Sequence, residues 1–161
     1  MLDVATKPCF RRFCQSLPNV QYISSDLMTQ GAMVFSDLTR MAMASAQFDL
    51  ITCSHVMEHI PDDRAAFSEV RRLLKPDGFA LVIVPIKGER TLEDPNLRPE
   101  DYERVYGQHD HVRIYGMDIV DRMKAANLHV DVIDLHNFFA PDAMRRYALS
   151  GDDRYFFRLS R

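Results

Sequence analysis

Long apolar runs are missing from the 161 residues: none reaches the ~20 residues that a membrane-spanning helix needs. Nor does any stretch carry the charged start and small-residue cleavage site of a secretory signal. Cysteine is scarce. Cys9, Cys14 and Cys53 form no C-x-x-C pair and fall in an expected helix or buried strand, which argues against a disulfide framework and for a reduced, cytoplasmic setting. A positive excess is also lacking. With a net charge of −3 and its 16 Arg and 4 Lys scattered, the chain shows no footprint for nucleic acid. The pairs Arg11-Arg12, Arg71-Arg72 and Arg145-Arg146 read as solvated helix faces. Internal repeats and low-complexity tracts are absent. What is present is 47% hydrophobic content, enough for the core of one domain.

The chain is organised around Phe48 to Pro85. Phe48 to Ser54 is a nearly continuous apolar run, as is Phe79 to Val84, and such runs suit strands of a parallel sheet covered on both faces. Between them Phe67, Val70, Leu73 and Leu74 recur at helical spacing, which predicts a helix over about Arg64 to Leu74 with Asp62 and Asp63 at its start. Lys75-Pro76-Asp77-Gly78 reads as its stop. This βαβ unit makes Ser54 to Pro61 a crevice rim at a strand's carboxyl end, where open α/β sheets bind ligands.

Met1 to Ala5 reads as a first strand, followed after Pro8 by a helix with Phe10, Phe13, Cys14 and Leu17 on one face. Short strands are expected at Val20 to Ser24, ending at Ser25-Asp26, and at Ala32 to Ser36, ending at Asp37. Residues 86–113 are charged and aperiodic, a lid-like insertion. A helix over Gly116 to Ala126, a strand over Leu128 to Ile133, a helical stretch within Asn137 to Leu149 and a closing strand at Tyr155 to Leu159 complete the order. Alternating strands and helices of this kind predict a doubly wound α/β sheet.

The stretch FDLITCSHVMEHIPDD…LLKPDGFALVIVP resembles the fourth-to-fifth-strand region of class I S-adenosylmethionine (SAM) dependent methyltransferases of the type 11 grouping. The resemblance implies a Rossmann-like, mostly parallel seven-stranded sheet with an antiparallel last strand, in a single domain over 1–161. It also implies SAM as cofactor and S-adenosylhomocysteine as product. The acceptor is not named by it; the acidic net charge favours a small molecule or a sugar over nucleic acid, and no membrane partner is expected.

Carried over residue by residue, the resemblance puts Asp26 at the position that takes the ribose diol and Asp37, with Leu38, beside the adenine. An Asx turn at Asp26 and a helix N-cap at Asp37 are the competing structural roles. The family's acidic, glycine-rich turn is replaced here by Asp3-Val4-Ala5-Thr6-Lys7-Pro8. Asp3 stands in the acid's place, while Ala5 and Lys7 stand where glycines admit the ligand. Lys7 either pairs with the SAM carboxylate or fills the site. Ser54 and His55 fall beside the methionine part, and Glu58 and His59 brace the rim. Relatives carry a helix or small domain ahead of the first strand that these residues do not include, so an open site, a homodimer or a covering partner is expected.

Two polar clusters admit other chemistry. His55-Val56-Met57-Glu58-His59 matches an inverted zinc-peptidase pattern, which needs a helix that a strand end followed by Pro61 does not offer. No metal is assigned on that basis. In Gln108-His109-Asp110-His111-Val112-Arg113, an extended backbone places His109, His111 and Arg113 on one side. They are the acceptor-side candidates, with a histidine as general base and Arg113 for an anionic group. A metal site of His109, His111 and Asp110, and hydrogen bonding of the insertion to the rim, are the alternatives. The expected function is therefore a SAM-dependent methyltransferase. A non-catalytic methyltransferase-like protein that binds a ligand or stabilises a partner is the second expectation, and a metal-dependent hydrolase using His55 and His59 the third.

Overall fold

The structure, a computed structural model, describes residues 1–28, 31–147 and 153–161. Its strands are β1 (Leu2–Val4), β2 (Ile23–Asp26), β3 (Val34–Phe35), β4 (Phe48–Ser54), β5 (Leu74–Ile83), β6 (His129–Asp134) and β7 (Tyr155–Ser160). They form one seven-stranded sheet in the order β3-β2-β1-β4-β5-β7-β6. The first five pair in parallel, whereas β7 lies antiparallel between β5 and β6. The helices are α1 (Pro8–Ser16), α2 (Asp63–Leu73), α3 (Tyr102–Tyr106), α4 (Ile119–Ala125) and α5 (Pro141–Arg146). Among the described residues no helix is long and apolar enough to cross a membrane.

The central unit forms where the apolar pattern places it. In α2 the Asp62 carboxylate accepts the Ala65 N–H, Ala66, Phe67, Val70 and Leu73 are buried, and Arg71 and Arg72 complement the last turn. The Lys-Pro-Asp-Gly stop lies inside β5 and not ahead of it. Leu74 already pairs with Phe48, and the register then jumps to Leu50 opposite Phe79, so the stop is bulged out of the strand. Gly78 is required there, since a Cβ would sit 2.6 Å from the Phe48 carbonyl oxygen.

Other boundaries move. β2 begins at Ile23, not Val20, and residues 37–44 fold as turns with no helix for Asp37 to cap. The apolar face of α1 is mostly uncovered: Cys14 is buried, but Phe13 is 58% exposed. Of the helical stretch expected within 137–149, Pro141–Arg146 is helix, and Ala148 and Leu149 lie outside the described residues.

The 86–113 segment is fastened at both ends. Ile86 bridges Tyr115 and Leu92 bridges Ile114. Thr91 donates its N–H and hydroxyl to Asp118, and the Tyr106 hydroxyl accepts the Asp94 N–H. Glu93 bridges Arg113 and Arg122, each at 2.6 Å. Burial alone raises the Glu93 carboxyl, but the hydrogen bonds from the two arginines outweigh it and hold the group below its usual range. A folded-state value below the unfolded one gives stability that is complete above the ordinary carboxylate range and lost as pH falls through the lowered value. Glu93→Gln is therefore expected to flatten the acid limb of a urea-denaturation profile between about pH 5 and 3, a range around the ordinary glutamate value. An unchanged limb would show that the two arginines do not set this carboxylate.

Candidate functional site

The chain runs outward from β1 to β2 and β3, then returns to place β4 on the other side of β1, so the strand order reverses between β1 and β4. A crevice opens at the carboxyl ends of strands at such a point. A cavity of about 280 Å³ lies there, lined by Asp3, Ala5, Lys7, Phe10, Ser54 and Phe156 among others.

Ala5 leaves β1 with φ +54°, a left-handed conformation that disfavours any side chain, and its N–H is fixed by the Ser25 carbonyl at 2.8 Å. The turn thus takes a left-handed path of the kind glycine adopts most readily and delivers Lys7 to the N-cap of α1, where Pro8 opens the helix. Ala5→Gly removes the strain and is expected to raise stability by about 1 kcal/mol, read as a higher urea midpoint; a lower midpoint would mean the strain is not there.

Asp3 is buried and engaged. The Tyr22 hydroxyl donates to it at 2.8 Å and the Thr52 hydroxyl at 2.7 Å, and Thr6 stands 2.8 Å from the same tyrosine oxygen. It fixes β1 against its neighbours from inside the site. Cys53, also in the wall, is buried, and desolvation pushes its thiol far up, so it is a neutral apolar surface and not a nucleophile.

Asp26 and Asp37 end β2 and follow β3, outside this cavity. One Asp26 oxygen accepts the Met28 N–H at 2.8 Å, and one Asp37 oxygen accepts the Thr39 N–H and hydroxyl, each at 2.8 Å. Both are Asx-type turns. Leu38, next to Asp37 in the chain, is buried. The structure therefore brings Asp3, Ala5, Lys7 and Ser54 to one cavity and leaves Thr6, Asp26, Asp37, Leu38 and His55 out of its lining. Phe10, Leu81, Ile83 and Phe156 in that lining had no polar signal in the sequence to mark them.

At the rim His55 has φ +55° and holds its N–H against the Ile83 carbonyl at 2.9 Å. Backbone strain of this kind gathers at functional sites. Met57–His59 makes a single 3-10 turn, so the helix that a zinc-peptidase pattern requires is not there. Glu58 is 1% exposed and neither carboxylate oxygen has a hydrogen-bond partner; His55 Nδ1 stands 3.4 Å away, outside hydrogen-bonding geometry. Burial, with the carboxylates of Asp153 and Asp110 nearby, pushes the Glu58 carboxyl up to about 7.

Residues 108–110 form a turn and not an extended strand, so His109, His111 and Arg113 do not share one side. His109 is exposed. His111 faces His59, ring centroids 4.7 Å apart, and burial followed by the neighbouring His59 holds its pKa below the usual value. Arg113 is 1% exposed and fully engaged: its guanidinium donates to Glu93 and to the carbonyls of Met57, Ile60 and Pro61. It holds the end of the insertion to the rim instead of reaching into open space. Glu93, its partner, had no sequence signal in an aperiodic charged stretch.

Residues 13–82 match a family model described as a methyltransferase domain. Over that stretch the chain is similar to methyltransferase domains, and its seven-stranded sheet with an antiparallel last strand has the class I methyltransferase fold. It is 28% identical over 119 residues to the ubiquinone biosynthesis O-methyltransferase of Paracidovorax citrulli, which covers 66% of this chain but 45% of that protein. The chain thus spans less than half the length of this curated relative. The methyltransferase fold extends further than the sequence match. Phosphoethanolamine N-methyltransferase 2 of Haemonchus contortus, solved with phosphomonomethylethanolamine and S-adenosylhomocysteine, superposes with a TM-score of 0.68 at 18% identity, covering 99% of this chain and 48% of that one. A SAM-dependent methyltransferase from Archaeoglobus fulgidus gives 0.65 at 12% identity, covering 98% and 83%.

Proposed function

We propose that the chain binds SAM at the carboxyl ends of β1 and β4 and transfers its methyl group to a small-molecule acceptor. The observation that carries this is the left-handed turn at Ala5, which feeds the N-terminus of α1 beside the cavity at the reversal of strand order. Despite the missing glycines the turn has the shape that lets a ligand approach backbone, and free N–H groups at a helix start favour a carboxylate. Lys7 adds a positive charge on the same side. Asp26 is assigned to the ribose diol, Asp37 and Leu38 to the adenine, and Asp3 and Thr6 to holding the turn through Tyr22. Ser54, in the cavity wall, and His55, at the rim just outside it, are assigned to the transfer face.

When bound, SAM supplies a methyl group made electrophilic by its sulfonium. The chain's own part is alignment and exclusion of water, for which the apolar wall of Phe10, Leu81, Ile83 and Phe156 is suited. His109 and His111 stay on the acceptor side of the rim, while Arg113 is reassigned to holding that rim in place. The domain reading is a single unit over 1–161, working in the cytoplasm, with 86–113 as a flap fastened at both ends.

A second reading, a partner-stabilising protein without catalysis, draws on the exposed Phe10 and Phe13 of α1, on Leu17 just past its end, and on the exposed Met33 and Phe35. Thermal shift separates the two. At ~100 times its dissociation constant, SAM or S-adenosylhomocysteine is expected to stabilise the chain by ~2.7 kcal/mol, several degrees of melting temperature, and Asp26→Ala to lose most of that shift. No shift with either ligand at millimolar concentration would favour the second reading.

A further inference from the structure

From Glu58, His59 and His111 we infer a binding site for a late first-row divalent cation of the zinc class, built between the rim and the end of the 86–113 segment. Each residue offers one ligand atom, and these atoms lie within 4.8 Å of one another. Ligands 2.0–2.1 Å from a tetrahedral ion stand ~3.3 Å apart, so modest side-chain rotation closes the set. The spacing is not a chance of one flexible loop. Glu58 and His59 share the 3-10 turn, and the Val112 N–H donates to the Glu58 carbonyl at 2.9 Å, which fixes His111 next to that turn.

The independent sign is Glu58 itself. A carboxylate that is 1% exposed with both oxygens unpartnered is a costly feature unless something charged completes it. Arg113 does not: it is a buried neighbour in the same part of the fold, and its donors go to Glu93 and the three rim carbonyls. His55 Nδ1, 3.4 Å away, lies outside hydrogen-bonding geometry and leaves both oxygens without a hydrogen bond. A cation held by His59 and His111 supplies the missing charge.

The donor chemistry selects the ion. Two imidazoles with one carboxylate suit zinc, cobalt or iron(II), whereas magnesium and calcium prefer all-oxygen shells. Asp110 adds the supporting contact: its Oδ2 lies 3.2 Å from His59 Nδ1. A carboxylate on Nδ1 fixes the tautomer that leaves Nε2 as the lone-pair donor, the arrangement common behind metal-bound histidines. Three protein ligands leave a fourth position for water or another oxygen donor. The cavity next to it, about 160 Å³ and bounded by Glu58, Tyr106, His111 and Arg113, gives that position an opening.

This site is independent of the cofactor pocket, so its test uses no SAM. Chelator-treated protein is titrated with Zn2+, with Co2+ and with Mg2+, following metal content, melting temperature and the visible absorption of cobalt. One zinc or cobalt ion per chain is expected, with cobalt bands of the intensity that marks four-coordination, a rise in melting temperature, and no response to magnesium. Asp110→Asn is expected to weaken zinc binding about 10–100-fold, and the double variant His59→Ala, His111→Ala to abolish it. His129→Ala, a surface control, retains it. Absence of a bound ion in the wild type, or one ion per chain surviving in the double variant, would overturn the site.

Discussion

Replacing Arg113 by alanine is expected to cost about 3–5 kcal/mol of folding stability, the range for removing one partner of a buried ion pair. The guanidinium is 1% exposed, and its loss strands three carbonyls on the rim and one oxygen of Glu93 at once. The Tyr115 ring, with the Arg113 carbon 5.6 Å from its centroid, loses one of its two guanidinium contacts, that of Arg122 remaining. Arg113→Lys keeps the charge but not the planar fork, and it is expected to recover less than half of the loss. Equilibrium urea denaturation measures both. A cost below about 0.5 kcal/mol, the size of an ordinary surface change, would mean that the side chain faces solvent and that the rim is held by something else.

Gly116→Ala is the other large effect, about 3 kcal/mol. An added Cβ would lie 2.4 Å from both the N and C atoms of Arg90, and backbone cannot give way as a flexible side chain does. The clash falls where the insertion crosses the start of α4, so the Thr91 contacts to Asp118 and to the Gly116 N–H would open with it. A destabilised variant should also lose proteolytic protection first within 86–113. Uniform loss across the chain would show that the insertion is not separately fastened.

How far the sequence reveals this protein depends on whether the determining contacts are local. The β4–α2–β5 unit was legible because burial on both faces writes continuous apolar runs, and the helix between them writes a 3.6-residue period. Both β4 boundaries and the Asp62 cap follow directly. The antiparallel last strand followed from the family resemblance and stands in the structure. For Arg113 the sequence left a ligand contact and a bond to the rim both open, because an arginine among histidines reads the same whether it meets a ligand or three carbonyls some fifty residues earlier; the structure shows the second. The face of α1 shows the same limit, since periodicity marks an apolar stripe without saying what covers it. Ala5 is the converse case. Its side chain reads as the loss of a glycine, yet the left-handed backbone is kept, held by Ser25 on the neighbouring strand. Glu58 was visible as a motif residue, but only the fold reveals that its carboxylate is buried without a partner.

The cofactor pocket is tested most directly by calorimetric titration of S-adenosylhomocysteine into the wild-type chain and into Asp26→Ala. One molecule bound per wild-type chain, with affinity at least tenfold weaker in the variant, is the expected result. No heat at millimolar ligand from a chain shown to be folded would contradict SAM binding at the carboxyl ends of β1 and β4.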